Sequence, residues 1–163
     1  MLADRGAATR MNFAPDLAGR AAEFLSTTFR GTRIARVLLV YLPNAHAELF
    51  DVSTASRKRY SNYPPYGLGI LVTRLAAVSV EGRIANLNHA MLKAARECSP
   101  EAFQFDEVWK HHLEREIADF QPDLVGISCT FTMAHGILKS VAAHCASRGL
   151  PVALGGVHVS NDA

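Results

Sequence analysis

The 163-residue chain has only three cysteines and one tryptophan. Cys98, Cys129 and Cys145 are odd in number and form no CxxC or CxxxCxxC cluster, so they spell neither a disulfide framework nor a zinc or iron–sulfur site. A reducing compartment, with the thiols as small core hydrophobes, is the expectation. Long apolar runs are also lacking. Runs such as residues 36–42 fall far short of the about 18 needed to span a bilayer, and no secretory h-region is present, which points to a soluble cytoplasmic protein. Charge of either sign is nearly balanced, 17 Lys and Arg against 15 Asp and Glu for a net +2, too little to indicate nucleic acid as a partner. Internal repeats and low-complexity tracts are absent. At 49% hydrophobic and 20% charged residues, the composition is that of a globular chain, long enough for one domain plus a short extension.

The extension is residues 1–33, with Arg5, Arg10, Arg20, Arg30 and Arg33 against Asp4, Asp16 and Glu23. Leu17, Ala21, Phe24, Leu25 and Phe29 recur at helical spacing between Pro15-Asp16 and Gly31, so a short amphipathic helix is expected. An organelle transit peptide is disfavoured by the three acids; a docking helix or lead-in is the simpler reading.

Residues 34–163 alternate apolar runs with helical stretches. Residues 36–42, RVLLVYL, read as a strand buried on both faces. A long polar loop is expected over residues 44–63, then a helix opened by Pro64-Pro65-Tyr66-Gly67, with Leu68, Leu71, Val72, Leu75 and Val78 on one face and Gly82 as its stop. A second strand is expected over residues 83–88, followed by an irregular stretch around Ser99-Pro100. A helix over 106–119 puts Trp109, Leu113, Ile117 and Phe120 on one face, broken by Gln121-Pro122. Residues 123–128 form a third strand and 133–148 a third helix capped by Gly149. Residues 151–154 form a fourth strand, ending on Gly155-Gly156. Strands separated by single helices make right-handed βαβ crossovers, hence an α/β doubly wound parallel sheet. Such sheets usually carry a fifth strand, and with only seven residues after Gly156 the expectation is a domain, residues 34–163, that lacks its last strand and helix and is C-terminally incomplete.

In open α/β sheets ligands sit at the carboxyl ends of the strands. That selects residues 43–66, Asn88-His89, residues 128–132 and residues 155–160. Gly155-Gly156 lets backbone approach a ligand closely, with His158 nearby. Ser128, Thr130 and Thr132 offer hydroxyls, although for Thr132 capping the next helix is the favoured expectation. The place after the first strand reads Leu42-Pro43-Asn44-Ala45-His46, without GxGxxG, and no Walker A sequence exists. The acidic cluster of a phosphoacceptor domain is lacking as well. His111-His112 are expected to face solvent, His135 and His144 have no partner at ligand spacing, and Arg57-Lys58-Arg59 reads as a solvated charge run.

The ordered set RVLLVYLP, YPPYGLGILVTRLAA, EGRIANLN, PDLVGIS and PVALGGVH, over about residues 34–160, resembles the cobalamin-binding N-terminal domain of cobalamin-dependent radical SAM enzymes. The resemblance implies a flavodoxin-like sheet of order 2-1-3-4-5, with the corrin over the strand ends and its nucleotide tail entering the side of the sheet. It implies that Ser128, Thr130 and Thr132 line the pocket, that Gly155 and Gly156 let the tail pass close to backbone, and that His158 flanks it. Pro64, Pro65, Tyr66 and Gly67 would shape the loop before the first helix. Relatives that supply a histidine to cobalt carry DxHxxG after the first strand; here Asn44-Ala45-His46-Ala47-Glu48-Leu49 keeps only His46 in register, as a possible axial ligand. The cysteines cannot hold the [4Fe–4S] cluster that works with S-adenosylmethionine, so those cofactors belong to a partner domain outside this chain. The chain by itself is then a cobalamin carrier without catalysis. The competing expectations are a flavodoxin-like regulatory or interaction domain without cofactor and, more remotely, an enzyme using a nucleotide sugar.

Overall fold

A computed structural model describes residues 15–29, 31 and 33–161. The chain divides into two units, Met1–Arg33 and Ile34–Ala163. In the first, α1 (Pro15–Phe29) is the expected helix; residues 1–14, on which the targeting question bears, lie outside the described residues, as do 162 and 163.

The second unit holds β1 (Arg36–Tyr41), α2 (Val52–Ser56), α3 (Tyr66–Ala76), β2 (Glu81–Asn86), α4 (Leu87–Glu97), α5 (Phe105–Phe120), β3 (Leu124–Ser128), α6 (His135–Ser147), β4 (Val152–Gly155) and α7 (Val157–Asn161). The strands form one all-parallel sheet of order β2-β1-β3-β4. With helices on both faces, this is a flavodoxin-like, doubly wound fold.

Alternation along the strands decides which helix covers what. Leu38 and Val40 of β1 and Val125 and Ile127 of β3 join Met91, Trp109, Leu113, Ile137, Val141 and Cys145 in the main core, under α4, α5 and α6. Each large side chain so buried contributes about 1.5–3 kcal/mol. On the opposite face Val37 and Leu39 pack with Leu68 of α3, flanked by Val72, Leu75 and Ile84. Helix α3 therefore covers the β1–β2 half of that face.

Several expectations are corrected. Gly82 does not stop α3. It lies in β2, where a Cβ would stand 3.2 Å from a Val72 methyl, so its smallness seats the helix on the strand. The stop is Ser79, left-handed at φ 60, after which Val80 N–H donates back to the Leu75 carbonyl at 3.0 Å, a Schellman ending. The stretch after the second strand is not irregular but begins with α4, whose Leu87, Met91, Leu92 and Ala95 are buried. Asn86, assigned to mid-strand, caps it by accepting from His89 N–H at 2.9 Å. The polar loop at 44–63 contains a 3₁₀ turn, Ala47–Leu49, and α2, which Asp51 caps by accepting from Thr54 N–H. Thr132 makes no cap: it opens a 3₁₀ turn, Thr132–Ala134, that leads into α6.

Candidate functional site

At the carboxyl end of the sheet, the face under α3 is only half covered. The pairs Gly126↔Ala153 and Ser128↔Gly155 put four small residues side by side on the β3–β4 half. No helix among the described residues of the second unit lies over them. The result is an open groove of about 290 Å³. Leu68, Leu71 and Leu75 of α3 form one wall, Leu39 and Leu124 lie along its base, and Ser128, Gly155 and Gly156 stand at the strand ends. A Cβ on Gly155 would meet nothing within 4 Å, so that position opens directly into the groove.

Gly156 serves a different purpose. Its φ is 101, and a Cβ there would run into the Cys129 carbonyl oxygen. The chain turns here against the end of β3, with His158 N–H donating to the Cys129 carbonyl at 3.2 Å. Burial raises the Cys129 thiol pKa, and burial together with Glu114 raises that of Cys145 to about 11, so neither is poised as a nucleophile.

Of the residues singled out from sequence, Ser128, Gly155 and Gly156 line the groove. Thr130 and Thr132 are exposed outside its lining. Pro64 and Pro65 precede α3, and Tyr66 and Gly67 form its exposed first turn; their neighbour Leu68 is the residue that reaches the groove. His158 turns inward, 7% exposed. Its Nε2 lies 2.9 Å from His135 Nδ1 with the rings perpendicular, so His135 is not the isolated histidine expected. His46 is half-buried, its ring against Gly136 at the start of α6: a Cβ on Gly136 would stand 2.7 Å from His46 Nε2. Among the described residues no group of three or more His, Cys, Asp or Glu is placed to hold a metal ion.

Other polar residues turn out to be structural. Asn88, buried in α4, accepts from Asn44 N–H at 3.2 Å and donates to the Ser61 carbonyl at 3.3 Å, which pins both ends of the 44–63 segment. His144 meets Glu114 at 2.6 Å, and Arg148 meets the same carboxylate at 3.1 Å, tying α6 to α5. His111 is exposed as expected, but His112 is half-buried, and its pKa is lowered chiefly by that burial. Arg57, Lys58 and Arg59 are exposed.

Sequence reasoning passed over Leu39, Leu71, Leu124, Gly126 and Ala153. The usable signal was the period-two run of small residues, Gly126 and Ser128 on β3 with Ala153 and Gly155 on β4, which marks a sheet face built to stay open. No described helix is long and apolar enough to cross a membrane. No family model, curated protein or solved structure matches the chain.

Proposed function

We propose that the chain is a cobalamin-binding module of the cytoplasm, which holds a corrinoid for a radical SAM domain that this sequence does not contain. The observation that carries the reading is the groove beside α3, over β3 and β4. It is apolar along its length and bordered by Ser128, Gly155 and Gly156 at the strand ends; the sequence resemblance assigns Gly155 and Gly156 to the nucleotide tail and Ser128, with Thr130 and Thr132, to the pocket for corrin or tail.

The residues present fit that group. A flat heteroaromatic tail gains affinity mainly from buried apolar area, with a few polar groups fixing orientation. Leu68, Leu71, Leu39 and Leu124 supply the first, and the Ser128 hydroxyl the second. The absence of a side chain at Gly155 leaves the tail room against the sheet, whereas the space over Gly126 is taken by Leu39. When bound, the corrinoid supplies cobalt chemistry that no side chain offers; the chain's own work is to bind, orient and shield it. His46, packed over Gly136, would be the chain's own imidazole donor to the cobalt, while His158, turned inward beside His135, lies outside the lining of the groove.

The test is reconstitution of the purified chain with hydroxocobalamin, followed by gel filtration and a visible spectrum. Stoichiometric co-elution of corrinoid is the expected result. A folded chain that elutes colourless would leave the competing assignment, an interaction domain of the same fold without cofactor.

A further inference from the structure

We propose that the outer cleft between α4 and α5 is a second ligand site, which takes a small organic molecule through its phosphate group. The two helices are joined by residues 98–104 and enclose about 660 Å³ of open space, a volume typical of small-molecule sites. Ala90, Ala94 and Ala102 line it; larger side chains there would fill it.

Nitrogen donors collect on its walls. Lys93 follows His89 by one turn of α4, and Arg115 follows His111 by one turn of α5, with His112 beside them. The tautomers of two of the rings follow from their partners. Arg115 Nη2 lies 3.2 Å from His112 Nδ1; a guanidinium only donates, so Nδ1 accepts and the ring proton is on Nε2, where it faces Glu116 Oε1 at 4.0 Å and is not a donor for a ligand. Asn62 Nδ2 lies 3.0 Å from His89 Nδ1, which by the same logic leaves His89 an Nε2–H to give. Among the described residues these histidines are not part of a metal-holding group.

The cations are only loosely engaged. Lys93 reaches Glu97 at 3.8 Å and Arg115 reaches Glu116 at 3.8 Å, and both basic side chains are more than half exposed. Such surface pairs contribute little and yield readily to a better acceptor. Donors from two helices suit a tetrahedral phosphate, whose oxygens accept from several directions, better than a planar carboxylate. Glu97 and Glu107 also line the cleft, and they disfavour a second anionic group on the same ligand. The ligand class is therefore a phosphomonoester with an uncharged or cationic remainder.

The experiment is an amide NMR titration of the full chain at low salt, with phenyl phosphate and with inorganic phosphate as probes. The expected result is saturable shifts confined to α4 and α5, with phenyl phosphate the tighter because the alanine-lined wall takes its ring. The Lys93→Gln/Arg115→Gln variant, altered only at exposed side chains, should keep its thermal midpoint and bind about tenfold more weakly or worse. Non-saturating shifts, shifts scattered over the surface, equal affinity for the two probes, or undiminished binding by the variant would each overturn the proposal. Corrinoid uptake through the groove is read separately and does not bear on the outcome.

Discussion

Gly155 and Gly156 are adjacent and have opposite requirements. Gly156 is held at φ 101 against the Cys129 carbonyl, so Gly156→Ala brings both backbone strain and a collision. A loss of about 2–4 kcal/mol is expected, measurable as a lowered denaturation midpoint; an unchanged midpoint would contradict the geometry. Gly155 has open space where a Cβ would go and tolerates a side chain. The sequence displays the pair as a strand-ending turn, but which glycine serves the backbone and which serves the groove depends on β3 lying alongside. Asp123 is a similar case. In sequence it is a strand opener remote from any ligand; in the fold its Oδ2 accepts from Ala35 N–H at 2.9 Å and Arg36 N–H at 2.8 Å, fastening the start of β1. Those backbone donors hold its carboxyl below the ordinary value of 3.8. Its contribution is thus complete above that value and is lost as pH falls through the depressed one. Urea midpoints of the native chain and Asp123→Asn should differ by a constant amount near neutrality and converge below about pH 4. A gap that widens in acid would refute the assignment.

Among the elements, long apolar patterns were legible and short capped ones were not. β1, α5 and α6 follow from continuous runs and helical spacing. Helix α4 escaped because Ile84, Ala85 and Leu87 extend a strand-like pattern across its first turn, and only the Asn86 side chain, by accepting from His89 N–H, separates strand from helix. Helix α2 escaped because five residues are too few for a period to show. It is held by tertiary contacts: Ala55 packs with Leu92 and Ala95 of α4, while Phe50 stacks on Tyr60 and Phe103. Asn88 ties this layer to the sheet, with two hydrogen bonds made from a side chain 3% exposed in total. Asn88→Ala should cost about 1–3 kcal/mol and speed hydrogen exchange at the Asn44 amide, whose partner it removes. Unaltered exchange at Asn44 would show that the segment is held by other means.

For the whole molecule, the parallel, doubly wound class follows from the alternation of strands and helices. Each parallel crossover must be right-handed, and the order β2-β1-β3-β4, expected from the resemblance, sets α3 on one face of the sheet and α4, α5 and α6 on the other. The groove was less legible, because it arises from where α3 stops rather than from any motif: one helix covers β1 and β2, and small residues on β3 and β4 keep the remainder open. The histidines were read as separate residues, yet the fold pairs His135 with His158 and lays His46 over Gly136, relations between elements distant in sequence.

The most direct test of the groove's role is to fill it without disturbing the fold. Gly155→Leu does so, since the position faces open space and its backbone needs no glycine. Corrinoid co-elution after hydroxocobalamin reconstitution should be stoichiometric in the native chain and lost in Gly155→Leu, with thermal midpoints alike. Equal uptake by both proteins, or none by the folded native chain, would contradict the account.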